Sequence, residues 1–132
     1  MNKKTFIAKL DTLEDAIAFA ENEFSSLSPK ALMQITICLE EMFINVANYA
    51  YDGKEGEVTI VADLNEKAAS LTLIDAGVPF NPLEHKEPDI TLDACEREIG
   101  GLGIFMVKKY MTELDYKREN EKNIFRMSYG IG

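Results

Sequence analysis

The sequence predicts an α+β fold, a two-layer sandwich in which a mixed, mostly antiparallel sheet carries three helices on one face. Three observations predict it. Five segments alternate apolar and polar residues, the period of a strand with one buried face. Three segments repeat apolar residues at intervals of three and four, the period of an amphipathic helix. Two pairs of the strands are separated only by short polar turns, which antiparallel neighbours permit.

The first predicted elements are a short strand and a helix. Residues 4–10 alternate apolar and polar side chains, which predicts the strand. Thr12, followed by Asp15 three positions later, has the pattern of a capping box, in which the threonine side chain caps the first helical turn. The apolar positions of this helix are Leu13, Ala16, Ile17, Ala20, Phe24 and Leu27.

A second helix is predicted after a break at residues 25–29. Ser28 is the expected N-cap, and Pro29 occupies the first helical position, where its missing N–H is not needed. The helix is expected to continue to about Tyr49. Its apolar stripe, which should be buried, consists of Ile35, Cys38, Leu39, Met42 and Val46.

Two hairpins and a third helix complete the predicted order. The hairpins join residues 58–64 to 69–73 across Asn65-Glu66-Lys67, and 114–116 to 125–129 across Glu119-Asn120-Glu121. Residues 78–99 follow no period, and a loop of that length is usually functional or mobile. The third helix opens on a glycine-rich segment and runs to Met111, with Phe105, Met106 and Met111 expected in the core.

Length and composition bound the class of protein. At 132 residues, one domain spanning 1–132 is expected. The chain has 14 Lys plus Arg against 23 Asp plus Glu, and its net charge of −9 argues against a nucleic-acid-binding or anionic-membrane surface. No apolar run approaches the ~20 residues that span a bilayer, and no secretory signal is expected. Cys38 and Cys95 form no CxxC, which favours a reduced, cytoplasmic setting without a zinc site.

The first candidate motif lies on the second helix. Glu41, Asn45 and Asn48 stand at i, i+4 and i+7, so their side chains are predicted to share one face, separate from the buried stripe. An amide oxygen can hold a hydrated Mg²⁺, and a carboxylate one turn earlier can orient or deprotonate a nucleophile. The alternative is a solvated helix face with ordinary surface acids. On its own the segment favours that alternative, although two asparagines within a helix are unusual.

The second candidate motif is Asp75-Ala76-Gly77, at the end of a predicted strand. A carboxylate fixed at a strand end can accept a hydrogen bond from an exocyclic amine such as that of adenine. Gly77 would let a flat ring approach the backbone closely. The alternative is an ordinary turn, in which an aspartate followed by a glycine is common.

The third candidate motif is Gly100-Gly101-Leu102-Gly103 at the start of the third helix. Glycines at a helix N-terminus expose amide N–H groups and the positive end of the helix dipole, which suits a phosphate. The segment is neither a complete GxGxxG fingerprint after a strand nor a phosphate-binding loop with Gly-Lys-Ser/Thr. The alternative is a flexible hinge ahead of a helix.

The order and spacing of the three motifs resemble the sequence boxes of the GHKL ATPase superfamily, which includes gyrase-type, Hsp90-type and histidine-kinase ATP domains. The matching segments are Glu41-xxx-Asn45, Asp75-x-Gly77-x-Pro79-Phe80-Asn81-Pro82 and Gly100-Gly101-Leu102-Gly103-Ile104. Within the superfamily, the short chain length and the amino-acid sequences of the last two segments resemble those of bacterial anti-sigma factor serine/threonine kinases. The resemblance covers nearly the whole chain and implies a Bergerat-type ATP-binding fold.

The resemblance also implies a set of site residues. The general base is Glu41, and the magnesium ligand is Asn45. The nucleotide-binding residues are Asn45, Asn48, Asp75, Gly77, Gly100, Gly101, Leu102 and Gly103. Among them, Asp75 reads the adenine amino group and the glycines line the triphosphate. A stretch at about residues 80–100 is implied to be a mobile ATP lid.

Three positions depart from the family's pattern. Relatives often carry an arginine close before the last glycines, and the nearest here is Arg97. A histidine often follows the magnesium asparagine by four residues, where this chain has Tyr49. The last strand often offers a small hydroxyl near the adenine, and residues 123–126 contain none.

The function implied by the resemblance is that of an ATP-binding anti-sigma factor with serine/threonine kinase activity. Such a protein sequesters a sigma factor and phosphorylates a small anti-anti-sigma protein of the STAS type, with ATP and Mg²⁺ as cofactors. The alternative is a non-catalytic switch of the same fold, in which ATP orders the lid and alters a partner-binding face. No direct nucleic-acid or membrane partner is expected, and a homodimer is a further expectation because relatives commonly dimerise.

Overall fold

A computed structural model describes residues 1–84 and 99–131 of the chain. The regular elements within these ranges follow the predicted order of one strand, two helices, two strands, one helix and two strands. They are β1 (Asn2–Ile7), α1 (Leu13–Glu23), α2 (Pro29–Asn45), β2 (Glu57–Leu64), β3 (Ala68–Asp75), α3 (Ile99–Tyr110), β4 (Glu113–Glu119) and β5 (Lys122–Gly130). Short 3-10 turns cover Leu10–Thr12 and Pro82–Glu84.

The described strands form one five-stranded sheet in the order β1-β2-β3-β5-β4, and every neighbouring pair is antiparallel. Both predicted hairpins are present. Asn65 Oδ1 closes the β2–β3 turn by accepting from Lys67 N at 2.8 Å and Ala68 N at 2.9 Å. Asn120 and Glu121 both have positive φ in the β4–β5 turn, the combination that matches the twist of a two-residue hairpin. The α+β class is therefore confirmed.

One face of the sheet forms the core together with the helices. α1 packs against β1 and β2, α2 packs against β3, and α3 packs against α2. The registers Ile60↔Leu73 and Leu73↔Phe125 carry the apolar alternation of three strands onto the same face. The buried side chains that line this face are Phe6, Val58, Ile60, Ala62, Leu71, Leu73, Phe125 and Met127. Burial of this apolar surface is the main stabilising term of the fold.

The predicted start of α2 and its apolar stripe are confirmed. Ser28 Oγ accepts a hydrogen bond from Ala31 N at 3.2 Å, and Pro29 is the first helical residue. All five stripe residues are buried, and the burial of Cys38, with a smaller contribution from the charge of Glu41, raises its pKa to about 12. No helix in the two described ranges is long and apolar enough to cross a membrane.

Three local predictions were wrong. β1 begins earlier and ends at Ile7, and Leu10 is 54% exposed because it lies in a 3-10 turn beyond the strand. Thr12 does not cap α1, because its hydroxyl donates to Ile7 O and Lys9 O instead, a local competition typical of threonine. Phe105 is 38% exposed because Ile104, not Phe105, is on the side of α3 that packs inward.

The C-terminal end of α2 also differs from the prediction, which continued the helix to about Tyr49. The α-helix ends at Asn45, and Val46–Ala50 form a π-turn, which is wider than an α-helical turn. The carbonyl of Ala50 accepts a hydrogen bond from Val78 N at 2.8 Å. This contact draws the segment after β3 against the end of α2, and it shapes the region in which two of the three sequence motifs meet.

Candidate functional site

A cleft lies between the C-terminal half of α2 and the ends of β3, β4 and β5. Its empty space, counted out to the open mouth and including solvent, is about 430 Å³. Its walls are mostly apolar, with three buried polar side chains and two tyrosines among them. The lining residues are Met42, Asn45, Val46, Tyr49, Ala50, Leu73, Asp75, Phe80, Pro82, Tyr116, Asn123 and Phe125.

Asp75 presents one carboxylate oxygen that accepts no hydrogen bond from the described residues. It is the last residue of β3, on the core side of the sheet, and it is only 6% exposed. Oδ1 accepts from Gly77 N at 2.9 Å and from Asn123 Nδ2 at 3.0 Å, whereas Oδ2 has no such donor. A buried acceptor without a partner is costly, so Oδ2 is suited to a donor supplied by a ligand.

Asn45 presents a second buried acceptor in the same cleft. It is the last residue of α2 and is 5% exposed, and its Nδ2 has only a long contact of 3.9 Å to the sulfur of Met42. Its Oδ1 accepts no hydrogen bond from the described residues. An amide oxygen is a ligand that Mg²⁺ accepts, and this ion usually takes one or two protein oxygens together with waters and phosphates. The donor set fits a magnesium–phosphate group.

Glu41 lies one turn before Asn45 on α2, so the two side chains project from the same side of the helix. Glu41 is half-buried and is not among the residues that line the cleft. Burial first, and the charge of Glu40 second, raise the pKa of the Glu41 carboxyl. A carboxylate made more basic by its surroundings is a better proton acceptor, which is the property expected of a general base.

Asn48 does not join the other two residues of the first motif. Asn45 is buried, whereas Asn48 is exposed and lines a separate hollow with Lys9 and Lys54. The three side chains therefore do not share one exposed face as the helical spacing predicts. The cause is the π-turn, which begins at Val46 and changes the angle between residues three positions apart.

Gly77 is buried but does not line the cleft. A Cβ at this position would lie 2.2 Å from Ala50 O and 2.6 Å from Ala50 C, both backbone atoms of the π-turn. The structure thus gives a packing reason for this glycine, namely the close approach of the segment after β3 to the end of α2.

Replacing Gly77 with alanine is expected to destabilise the protein by about 1–3 kcal/mol, since backbone atoms of the π-turn would have to move. Denaturation in urea measures the effect. Ala76→Ser is the matched control. Ala76 is exposed, so this substitution adds no atom to the contact between Gly77 and Ala50. Unchanged stability of Gly77→Ala would mean that the segment shifts freely and that the close approach is not needed.

The third motif lies at the start of α3. The helix begins at Ile99, so Gly100 and Gly101 belong to the first turn, whose amide N–H groups lack partners within the helix, whereas Gly103 is the fifth helical residue. The side chains of 99–103 are outside the description, as are Arg97 and most of the predicted lid. α3 packs against α2, the helix that carries Glu41 and Asn45.

Asn123 is the site residue that sequence analysis missed. It lies on β5 directly opposite Asp75 and is 5% exposed. The signal was available in the alternation of the last strand, because Asn123 is a polar residue at a position in phase with the buried Phe125 and Met127. Such a residue at the core face of a strand end needs a partner, which sequence alone does not name.

Comparisons with known proteins agree with this fold. A family model described as a histidine kinase-like ATPase domain matches residues 6–129. The serine/threonine-protein kinase BtrW of Bordetella bronchiseptica is 22% identical over 73% of this chain, and the serine-protein kinase RsbW of Listeria monocytogenes is 27% identical over 68%. The anti-sigma F factor of Clostridium acetobutylicum is 21% identical over 89%. The matches span 68%, 60% and 83% of these relatives, respectively.

Two solved structures share the fold. The histidine kinase AdeS of Acinetobacter baumannii superposes with a TM-score of 0.55 at 14% identity, over 100% of this chain and 68% of that one. The histidine kinase domain of the blue-light activated kinase EL346 of Erythrobacter litoralis has a TM-score of 0.51 at 16% identity, over 75% of this chain and 44% of that one. At these identities the likeness concerns the fold alone.

Proposed function

The chain belongs to the histidine kinase-like ATPase domain family, and from that premise we propose that it binds ATP with Mg²⁺ in the cleft and transfers the γ-phosphoryl group to a serine of a small protein partner. One observation carries the proposal: the residues that line a single cleft include two buried acceptors that receive no hydrogen bond from the described residues, Asp75 Oδ2 and Asn45 Oδ1. An amino group can donate a hydrogen bond to Asp75 Oδ2, and a cation can bind Asn45 Oδ1. Adenine nucleotides with Mg²⁺ bring both.

In the proposed complex, the adenine ring occupies the apolar part of the cleft and its amino group donates to Asp75 Oδ2. Asn45 would hold Mg²⁺ through its amide oxygen, and the first turn of α3, with Gly100 and Gly101, would receive the phosphates. Mg²⁺, when bound, offsets the charge of the phosphate oxygens. This arrangement needs few basic side chains, which reconciles a net charge of −9 with a polyanionic ligand.

Glu41 is the proposed general base for transfer. The serine hydroxyl proton passes to the Glu41 carboxylate as the serine oxygen bonds to the γ-phosphorus. The bond between that phosphorus and the β–γ bridging oxygen breaks, and ADP leaves. The raised pKa of Glu41 suits this role, and phosphoryl transfer otherwise requires mainly positioning and charge stabilisation.

The proposed partners follow from the relatives, which are named as serine-protein kinases and anti-sigma factors. We propose that the chain sequesters a sigma factor and phosphorylates an anti-anti-sigma protein of the STAS type, in the bacterial cytoplasm where both occur. The acidic chain is suited to attract a basic segment of the sigma factor, an effect that salt weakens.

A second candidate function is a nucleotide-dependent switch without phosphoryl transfer. It is favoured by one observation, namely that Glu41 is not among the residues that line the cleft. In this alternative, ATP binding changes a partner-binding face and no proton acceptor is needed.

Transfer of label to the partner separates the two functions. The chain is incubated with γ-labelled ATP, Mg²⁺ and the anti-anti-sigma protein that co-purifies with it from native cells. Phosphoserine on the partner is the expected result, and omission of Mg²⁺ is the control that should abolish it. ATP binding without transfer would favour the switch. Absence of Mg²⁺-dependent ATP binding in calorimetry would contradict both functions.

A further inference from the structure

We propose that Asn123 is a positioning residue for nucleotide recognition: it turns Asp75 so that one carboxylate oxygen is left for the ligand, and it is itself held by Tyr116. The inference deepens the proposed function and rests on it, because it concerns the same adenine-reading carboxylate. It assigns a role to two residues of β4 and β5 that none of the sequence motifs contains.

The first step of the argument is that every hydrogen-bonding group of the Asn123 amide is occupied. Nδ2 donates to Asp75 Oδ1 at 3.0 Å and to Val78 O at 2.8 Å. Oδ1 accepts from Tyr116 Oη at 2.5 Å and from Phe80 N at 3.2 Å. An amide side chain offers two donors and two acceptor sites, so Asn123 is saturated before any ligand arrives. It therefore acts on the ligand only through Asp75.

The second step concerns the orientation of the Asp75 carboxylate. Gly77 N and Asn123 Nδ2 both donate to the same oxygen, Oδ1, from two different strands or loops. These two donors restrain the rotation of the carboxylate group and leave Oδ2 without a donor from the described residues. Without Asn123, of these two bonds only the local one from Gly77 N remains, and a single donor restrains the rotation of the carboxylate group less than two donors from different directions do.

The third step concerns selectivity. A 6-amino purine donates to Oδ2, whereas a 6-oxo purine presents an oxygen that the carboxylate repels. The Asn123 NH₂ is a donor group that could receive a 6-oxo group, but both of its hydrogens are already held by Asp75 and by Val78 O. Because both hydrogens are held, the Asn123 NH₂ cannot donate to a 6-oxo group. Binding of a 6-oxo purine would leave Asp75 Oδ2 buried and unpaired, and an unpaired buried group makes discrimination between two ligands strong.

The fourth step identifies why Tyr116 is part of the arrangement. Tyr116 faces Phe125 in the β4–β5 register, and its ring lines the cleft. Its hydroxyl donates to Asn123 Oδ1 and so helps to hold the amide, while Phe80 N, which can only donate, and Val78 O, which can only accept, fix which end of the amide is oxygen and direct the NH₂ toward Asp75. Asn123 also forms hydrogen bonds with Val78 O and Phe80 N. The same side chain therefore helps to position the segment in which Phe80 and Pro82 line the cleft.

The test compares two ligands with Mg²⁺ by calorimetry: ATP and purine riboside triphosphate, which has hydrogen in place of the 6-amino group. The ratio of the two affinities reports recognition of the amino group alone. We expect Asn123→Ala to reduce this ratio about tenfold, the scale of one charge-assisted hydrogen bond, while the affinity for the analogue changes less than about threefold. Asn65→Ala is the control, since Asn65 lies in the β2–β3 turn outside the cleft, and its ratio should equal that of the wild type.

Tyr116→Phe keeps the ring and removes only the hydroxyl, so it tests the arrangement if Asn123→Ala does not fold. We expect it to reduce the ratio about threefold. Equal losses for both ligands would overturn the proposal and assign Asn123 a structural role, as would an unchanged ratio in both variants. Failure of the proposed function gives a different result, because wild-type protein would then bind neither ligand or would bind both equally.

Discussion

Replacing Glu41 with glutamine is expected to lower the rate of phosphoryl transfer by about 10²–10⁴-fold, the usual contribution of a general base. Glutamine keeps the size of the side chain but cannot accept the serine proton. Glu41 does not line the cleft, so the affinity for ATP with Mg²⁺ is expected to change less than about threefold, within the scale of a weak contact. Single-turnover transfer to the partner and calorimetry measure the two effects separately.

The pH dependence of transfer gives this prediction a second readout. A base must be deprotonated, so the rate is expected to fall as the pH falls through the raised pKa of Glu41. The charge of the neighbouring Glu40 contributes to that rise. Glu40→Gln should therefore retain transfer and move the acid limb of the profile to lower pH, which makes it the matched control. A Glu41→Gln protein with full transfer would remove Glu41 from the role of base and favour the switch.

Replacing Asp75 with asparagine is expected to weaken ATP binding by about 1.5–3 kcal/mol, or roughly 10- to 150-fold. The substitution removes the charge that strengthens the hydrogen bond to the amino group. It also places an amide opposite Asn123 Nδ2, which loses its carboxylate partner. Calorimetry with ATP measures the loss, and the analogue without the 6-amino group should show much less of it.

Asp63→Asn is the control for the Asp75 substitution. Asp63 lies on β2 opposite Ser70, on the face of the sheet away from the core. The substitution changes the net charge by the same amount as Asp75→Asn. Its ATP affinity should match that of the wild type. An Asp75→Asn protein that binds ATP as the wild type does would contradict the placement of the adenine at this carboxylate. Binding would then depend on the phosphate and magnesium contacts alone.

The local elements were predictable because their signals are local. The alternation in residues 58–64 and 69–73 predicted the core face correctly except at Leu64, which is 38% exposed at the end of β2. Ser28 with Pro29 marked the start of α2. Wrong predictions arose where two local interactions compete. The Thr12 hydroxyl could either cap α1 or bond to preceding carbonyls, and sequence pattern does not decide between them.

By itself, the sequence determined the fold class and the apolar faces and identified Asp75 and Asn45 as candidate site residues, because periodicity and residue type are properties of the chain. The tertiary structure alone decided three things. The β3–β5 register placed Asn123 against Asp75, the π-turn separated Asn48 from Asn45, and the approach of that turn required a glycine at residue 77. Each depends on contacts between segments far apart in the chain, and no local pattern records which residues will meet.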